Sequence, residues 1–223
     1  MDLKLLIVLF IGTLAMMIPM IIQSKKYKFS LWKVIISALI LTVTGTIGTK
    51  IMAFVEMGTL EGISFYGAVF FVPLAFLFVS LIFRLPYGCL LDICAPAECI
   101  MLVIMKVHCL ISGCCMGRVL FLDSNGKFIR FPSPIVEMLN ALLVFVILLV
   151  IFYKGKNRGL IYNYYLVLYG CTRFILNFFR AEWQEYDGGI IPMGTVWSVV
   201  AISFGLFAII TIKKGWREDN CKY

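Results

Sequence analysis

Tyr169, Arg173, Asn177 and Arg180 follow one another at intervals of four, four and three residues, a spacing that lays side chains along one face of an α-helix. Two arginines on one stripe, inside an otherwise apolar run, point to binding of an anion. A guanidinium fork suits phosphate or carboxylate bidentately. Three further stretches carry chemistry-bearing groups. Residues 106–118 read KVHCLISGCCMGR, with Lys106, the chain's only histidine (His108), three cysteines and Arg118. FPSPIVE (131–137) contributes Ser133 and Glu137, and GISFYG (62–67) contributes Tyr66.

The cysteines do not spell a metal motif. Zinc sites repeat Cys or His at two-to-four-residue intervals in two sets, whereas here a histidine and its adjacent Cys109 precede the vicinal pair Cys114–Cys115. Cys89, Cys94, Cys99, Cys109 and Cys114 recur at multiples of five, but five residues turn a helix by about 140°, so they form no stripe. No metal centre and no cofactor is expected. His108 lies about 200° around a regular helix from Lys106, which predicts a locally satisfied ring rather than a partner of that lysine. Ser112, Gly113 and Gly117 are expected to end the helix and present backbone N–H groups to a ligand.

The elements that must position these groups are membrane helices. Of 223 residues, 62% are apolar or aromatic and 14% charged, and mean hydropathy is +0.99, far from the composition of a soluble domain. Runs broken by charge or turn residues predict seven spans at about 3–22, 31–49, 64–83, 90–112, 134–153, 160–179 and 194–212. The fold class is an all-α polytopic membrane protein, a single integral domain over residues 1–223. The first run is too long for a signal-peptide core and is followed by its basic cluster, so it reads as an anchor. Net charge is +8, but the basic residues cluster between spans in SKKYK, KGKNRG and KKGWR, with Arg84 at another turn, which excludes a nucleic-acid function and obeys the positive-inside rule. Glu56, Glu61, Asp123, Glu182, Glu185 and Asp187 fall on the other side, with Lys50, Arg118, Lys127 and Arg130. The N-terminus is therefore expected outside and the C-terminus in the cytoplasm.

Threading that topology brings the costly residues to one depth. Arg173 lies thirteen residues beyond Leu160, roughly 20 Å into a core about 30 Å thick. Lys106 and His108 near the end of span four, Tyr66 at the start of span three and Glu137 at the start of span five reach the same outer half. Lys106, Arg118, Arg173 and Arg180 against Glu137 leave an excess of positive charge, and a phospholipid headgroup is the anion found at that depth. Two plainer readings stand beside this one: Arg173 paired structurally with Glu137, and Arg180 reaching the interface by snorkelling. Asp92 and Glu98, near the inner end of span four, have no assigned role.

With these residues in place, the segment 62–194 resembles the prolipoprotein diacylglyceryl transferase family. GISFYG is similar to the family's G-x-S-F-H-G, and LLDICAP to its segment leading into span four. KVHCLISGCCMG is similar to R-x-G-[NC]-F-x-x-G-x-x-x-G, and FPSPIVE to H-P-S-Q-L-Y-E. YGCTRFILNFFR is similar to Y-G-x-x-R-F-x-x-E-F-F-R, and PMGT to S-M-G-Q. The resemblance implies that Arg173 and Tyr169 stand at the family's essential arginine and tyrosine, and Glu137, Gly117 and Arg180 at further functional positions. Tyr66 stands where the family has a functional histidine, Lys106 at its other essential arginine, and Asn177 at the glutamate of the arginine helix.

The implied reaction moves diacylglyceryl from phosphatidylglycerol to the lipobox cysteine of a lipoprotein precursor, releasing glycerol phosphate, in a bacterial inner membrane with the site in the outer leaflet. Arg173, Lys106 and Tyr66 would then be catalytic, while Tyr169, Glu137, Arg180, Gly117, Ser133, Arg118 and Asn177 would bind substrate; Tyr66 would assist removal of the thiol proton. The expected partners are phosphatidylglycerol, the precursor peptide and membrane lipid. Two alternatives stay open: a divergent relative with another acceptor, and a non-enzymatic protein that binds or transports phospholipid.

Overall fold

The computed structural model describes residues 3–58, 62–124, 126–155, 159–184 and 191–215. Glu61, Glu185 and Asp187, with Lys156, Arg158, Trp216 and Arg217 of the basic clusters, lie outside the described residues.

Without water to satisfy the backbone, an apolar chain in hydrocarbon must close its hydrogen bonds locally, and helices result. They are α1 (Leu3–Ser24), α2 (Leu31–Met57), α3 (Tyr66–Phe83), α4 (Tyr87–Ile111), α5 (Ser133–Lys154), α6 (Ile161–Asn177), the single turn α7 (Ala181–Gln184) and α8 (Met193–Gly215). Six of these, α1 to α5 and α8, are long and apolar enough to cross a membrane. The predicted sixth span is the exception. At 17 residues α6 extends about 26 Å, and it carries the polar stripe. Between α4 and α5 lies a small antiparallel hairpin, β1 (Val119–Leu122) with β2 (Phe128–Arg130), which the hydropathy pattern did not foreshadow.

α4 is the most enclosed helix, packed against α1, α3, α5 and α6, while α2 joins α1 to α3 and α8 lies along α6. Phe10, Ile18, Val43, Leu139, Phe204 and Phe207 stay exposed on the outer faces, as expected of a bundle solvated by lipid chains. Two local devices tie the bundle. Pro73 lacks an N–H, so the carbonyl of Val69 four residues earlier loses its helical donor. The Tyr162 hydroxyl of α6 supplies one, 2.7 Å away. Gly48 of α2 and Gly67 of α3 bring two backbones into contact, and a Cβ at Gly67 would overlap the Gly48 carbonyl.

The basic turns meet at one end of the bundle. Lys26 Nζ donates to the Phe152 carbonyl at the end of α5 (2.5 Å). Asp92, fully buried, accepts from the Tyr27 hydroxyl (2.7 Å) and from the backbone N–H groups of Gly159 (2.5 Å) and Ile161 (2.9 Å). That gives Asp92 a structural role: it caps the start of α6 from a neighbouring helix and satisfies donors that helix geometry leaves open. Glu98, also buried, has a carboxyl oxygen 3.2 Å from the Tyr162 hydroxyl oxygen.

Candidate active site

At the opposite end the charged groups converge on one carboxylate. Glu137, 4% exposed in the first turns of α5, holds Arg173 Nη1 of α6 on Oε1 at 2.5 Å and Lys106 Nζ of α4 on Oε2 at 2.7 Å. Arg180 Nη1 reaches the same Oε1 at 3.3 Å, and its Nη2 also pairs with Glu182 at 3.0 Å. One carboxylate therefore fixes three cations from three separate segments. Arg173 Nε is buried and finds no acceptor among the described residues, leaving a donor spare beside the cavity.

Arg180 lies beyond the end of α6. Its position comes from a backbone bridge between Gly117 and Arg180, supported by the Arg118 N–H donating to the Phe179 carbonyl at 3.0 Å. The glycine is required there. A Cβ on Gly117 would stand 2.5 Å from the Phe179 carbonyl oxygen and 2.6 Å from Ser133 Oγ. The expectation that Gly113 and Gly117 offer N–H groups to a ligand is corrected, because those groups donate to the carbonyls of Leu110 (3.3 Å) and Phe131 (2.8 Å).

The aromatic wall rises from α6 and α3. Tyr165 meets Tyr162 edge-on and stacks on Tyr169, with ring centroids 5.5 and 5.6 Å apart, and Tyr66 meets Tyr169 edge-on at 5.6 Å. Tyr66 Oη lies 2.5 Å from Ser198 Oγ of α8. Ser198 donates its one hydrogen to the Gly194 carbonyl (2.7 Å), and Asn177 Nδ2 also donates to it (3.2 Å). By elimination, Tyr66 donates to Ser198.

Beside this wall lies a cavity of about 700 Å³, within the range of small-molecule sites. Tyr66, Lys106, Glu137, Tyr169, Arg173, Asn177 and Arg180 all face it. Three expected residues do not. Arg118 lays its guanidinium over the Phe179 ring at 5.1 Å, Gly117 shapes the backbone, and Ser133 Oγ is buried beneath the wall. His108 also lines the cavity, which wraps the end of α4, and its Nε2 is 3.5 Å from Ser112 Oγ, the kind of local partner expected of it. The expected excess of positive charge over the whole lining is also corrected: Glu56 and Glu182 join Glu137 opposite Lys106, Arg173 and Arg180. Glu56 is held by Ser64 at 2.7 Å and Glu182 stands exposed at the rim, so the excess is local to Glu137. Ser198 was missed too, although Gly194 and Ser198 stand four residues apart at the start of the last span.

A family-wide sequence profile for prolipoprotein diacylglyceryl transferase matches residues 6–211. Among curated proteins, a phosphatidylglycerol–prolipoprotein diacylglyceryl transferase of Geobacter sulfurreducens is 27% identical over 162 residues, covering 69% of this chain and 62% of that protein. Proteins of the same name from Francisella tularensis and Allorhizobium ampelinum are 28% and 29% identical over 172 residues, covering 72% and 71% of this chain and 64% and 60% of theirs. The chain thus spans less than two thirds of the length of these relatives. A match over nearly the whole chain, on a bundle whose polar groups meet at the positions the motifs single out, places it plainly: the chain belongs to the prolipoprotein diacylglyceryl transferase family.

Proposed function

We propose that this protein is a membrane transferase that moves diacylglyceryl from phosphatidylglycerol to the cysteine thiol of a lipoprotein precursor. The observation that carries the reading is the gathering of Lys106, Arg173 and Arg180 on the single carboxylate of Glu137, at the wall of a cavity large enough for a headgroup. Held this way, the cations need no rearrangement to meet a phosphate, and a fixed donor in a dry site is worth about 10²–10³ in rate. Support for a lipid comes from an apolar groove lined by Leu9, Leu41, Val72 and Met101, which shares Ile63, Phe65 and Met105 with the cavity. It offers acyl chains a path from the membrane to the site.

In the proposed reaction the acceptor sulfur, as thiolate, attacks the glyceryl carbon bonded to the phosphate. A carbon–sulfur bond forms, the carbon–oxygen bond breaks, and its electron pair leaves on the phosphate of glycerol phosphate. Arg173 and Lys106 stabilise that growing charge, Glu137 holds both in position, Arg180 guards the rim, and Tyr169 closes the apolar side. Tyr66 already donates to Ser198, which favours shaping the wall over accepting the thiol proton. We place the basic end in the cytoplasm and the cavity in the extracytoplasmic leaflet of a bacterial inner membrane, following the charge bias of the connections. The engaged Tyr66 hydroxyl also favours a second reading, in which the same cradle serves a different acceptor.

Arg173→Ala tests the proposal. It removes the guanidinium nearest the phosphate and should abolish lipidation of a lipobox peptide. Full activity in that variant would refute the phosphate role. Lipid turnover by the wild type with no adduct on the lipobox peptide would select the second reading.

A further inference from the structure

Three thiols stand together at the cavity rim. Cys109 lies in the last turn of α4, and Cys114 and Cys115 lie in the turn beyond it, which folds back so that the Cys114 N–H donates to the Cys109 carbonyl at 3.0 Å. Cys115 takes a left-handed backbone, φ +61°, a conformation unfavourable for a residue with a Cβ and one that clusters at functional sites. The turn brings the sulfurs of Cys109, Cys114 and Cys115 within 4.8 Å of one another. All three are free thiols and all three line the cavity. Among the described residues, no other group of three potential metal ligands gathers this closely.

The chemistry of the set suits a thiophilic cation. Tetrahedral zinc binds thiolate at about 2.3 Å, which separates its sulfurs by about 3.8 Å, so side-chain shifts of about 1 Å would close the site. Lys106 and Arg180 line the same cavity and bring positive charge to it.

We propose that Cys109, Cys114 and Cys115 hold one zinc ion whose fourth position opens into the cavity and takes the acceptor thiol. This rests on the reading of the cavity as a thiol-transfer site. Three protein ligands and one open position mark reactive rather than closed structural zinc, and a thiol that coordinates a metal is deprotonated outright. That supplies what the cradle lacks, since Tyr66 is already committed as a donor to Ser198. The acceptor S–H gives its proton to solvent on binding zinc. Its sulfur then bonds to the glyceryl carbon as the carbon–oxygen bond breaks and the electron pair leaves on phosphate; the neutral thioether departs. Zinc changes no oxidation state, and the two electrons of the new bond come from sulfur.

The test is cobalt substitution in the full-length protein, purified in detergent under reductant and stripped of metal. Co²⁺ should bind at one per chain, with thiolate-to-cobalt charge transfer and the visible bands of a tetrahedral site, and Zn²⁺ should displace it. A lipobox peptide should shift those bands, and the same peptide with serine for cysteine should not. Cys109→Ser, Cys114→Ser and Cys115→Ser should each weaken binding at least tenfold, whereas Cys171→Ser, on the exposed face of α6, should leave it unchanged. Absence of stoichiometric cobalt binding by the wild type, a disulfide between any two of the three cysteines in the active protein, or bands indifferent to the thiol peptide would each overturn the proposal. Diacylglyceryl transfer measured on the same preparation separates that failure from failure of the transferase reading.

Discussion

Lys106 and Arg173 grip opposite oxygens of one carboxylate, the amine on Glu137 Oε2 at 2.7 Å and the guanidinium on Oε1 at 2.5 Å. The two cations come from α4 and α6, helices that run side by side, and the carboxylate comes from α5, packed against both. Their separation is thus set by a rigid linker rather than by loop geometry. This arrangement joins the plain reading of Arg173, an intramembrane ion pair, to the functional one: the pair exists, and it positions the cations.

Removing the charge of Glu137 should therefore harm stability and function together. Glu137→Gln keeps the shape but leaves buried cations uncompensated, and breaking a buried pair costs about 3–5 kcal/mol. A clear fall in thermal unfolding temperature is expected in detergent, with transfer reduced at least a hundredfold. An unchanged melting curve would show that the pairing does not hold the helices.

Lys106→Arg restores the planar fork for which a point charge now stands. If Lys106 contacts the phosphate, the variant should retain transfer and lower the KM for phosphatidylglycerol by up to about tenfold, since bidentate contacts add roughly a kcal/mol or more. Lys106→Met should instead lose activity by about 10² or more. Kinetics of both variants at varied lipid concentration in mixed micelles distinguish these outcomes.

Tyr66→Phe removes the hydrogen bond to Ser198 and leaves the ring packed on Tyr169. A loss of less than about tenfold in transfer is expected, consistent with one neutral hydrogen bond worth about 1 kcal/mol. A loss of a thousandfold would return Tyr66 to the role of proton carrier.

The acidity of Cys115 has a direct readout in metal-free protein. A thiol lowered to about 5 is thiolate at all pH values above that point, whereas an ordinary cysteine near 8.5 is mostly protonated at neutral pH. Alkylation of Cys115 should proceed at nearly the same rate at about pH 6.5 and about pH 8, while a reference cysteine peptide slows by more than tenfold over that interval. Site-resolved mass spectrometry of iodoacetamide adducts measures both. Parallel slowing of Cys115 would show that Lys106, Arg180 and Cys109 do not stabilise its thiolate.

Much of this architecture was legible because hydrocarbon leaves a chain few options. Apolar runs located the helices, and left-handed residues such as Arg84 and Gly58 ended two of them. The interval of four between Tyr169, Arg173 and Asn177 read correctly as one face, since periodicity is a local property. What escaped depends on where separate segments meet. Arg180 reaches Glu137 through a bridge to Gly117, which no spacing reveals. Glu56 and Glu182 enter the lining from the end of α2 and from α7, whose placement hydropathy does not encode. The cysteine intervals match no paired motif, yet a left-handed Cys115 gathers three of them. His108 points away from Lys106 and still reaches the lining, because a cavity at a helix end is open to more than one face.

The most direct measurement of the central claim is the mass of a lipobox peptide after incubation with purified protein and phosphatidylglycerol, wild type beside Arg173→Ala. A gain of one diacylglyceryl group with release of glycerol phosphate, reduced about a thousandfold or more in the variant, is the result this account requires. Equal lipidation by folded wild type and Arg173→Ala would contradict it.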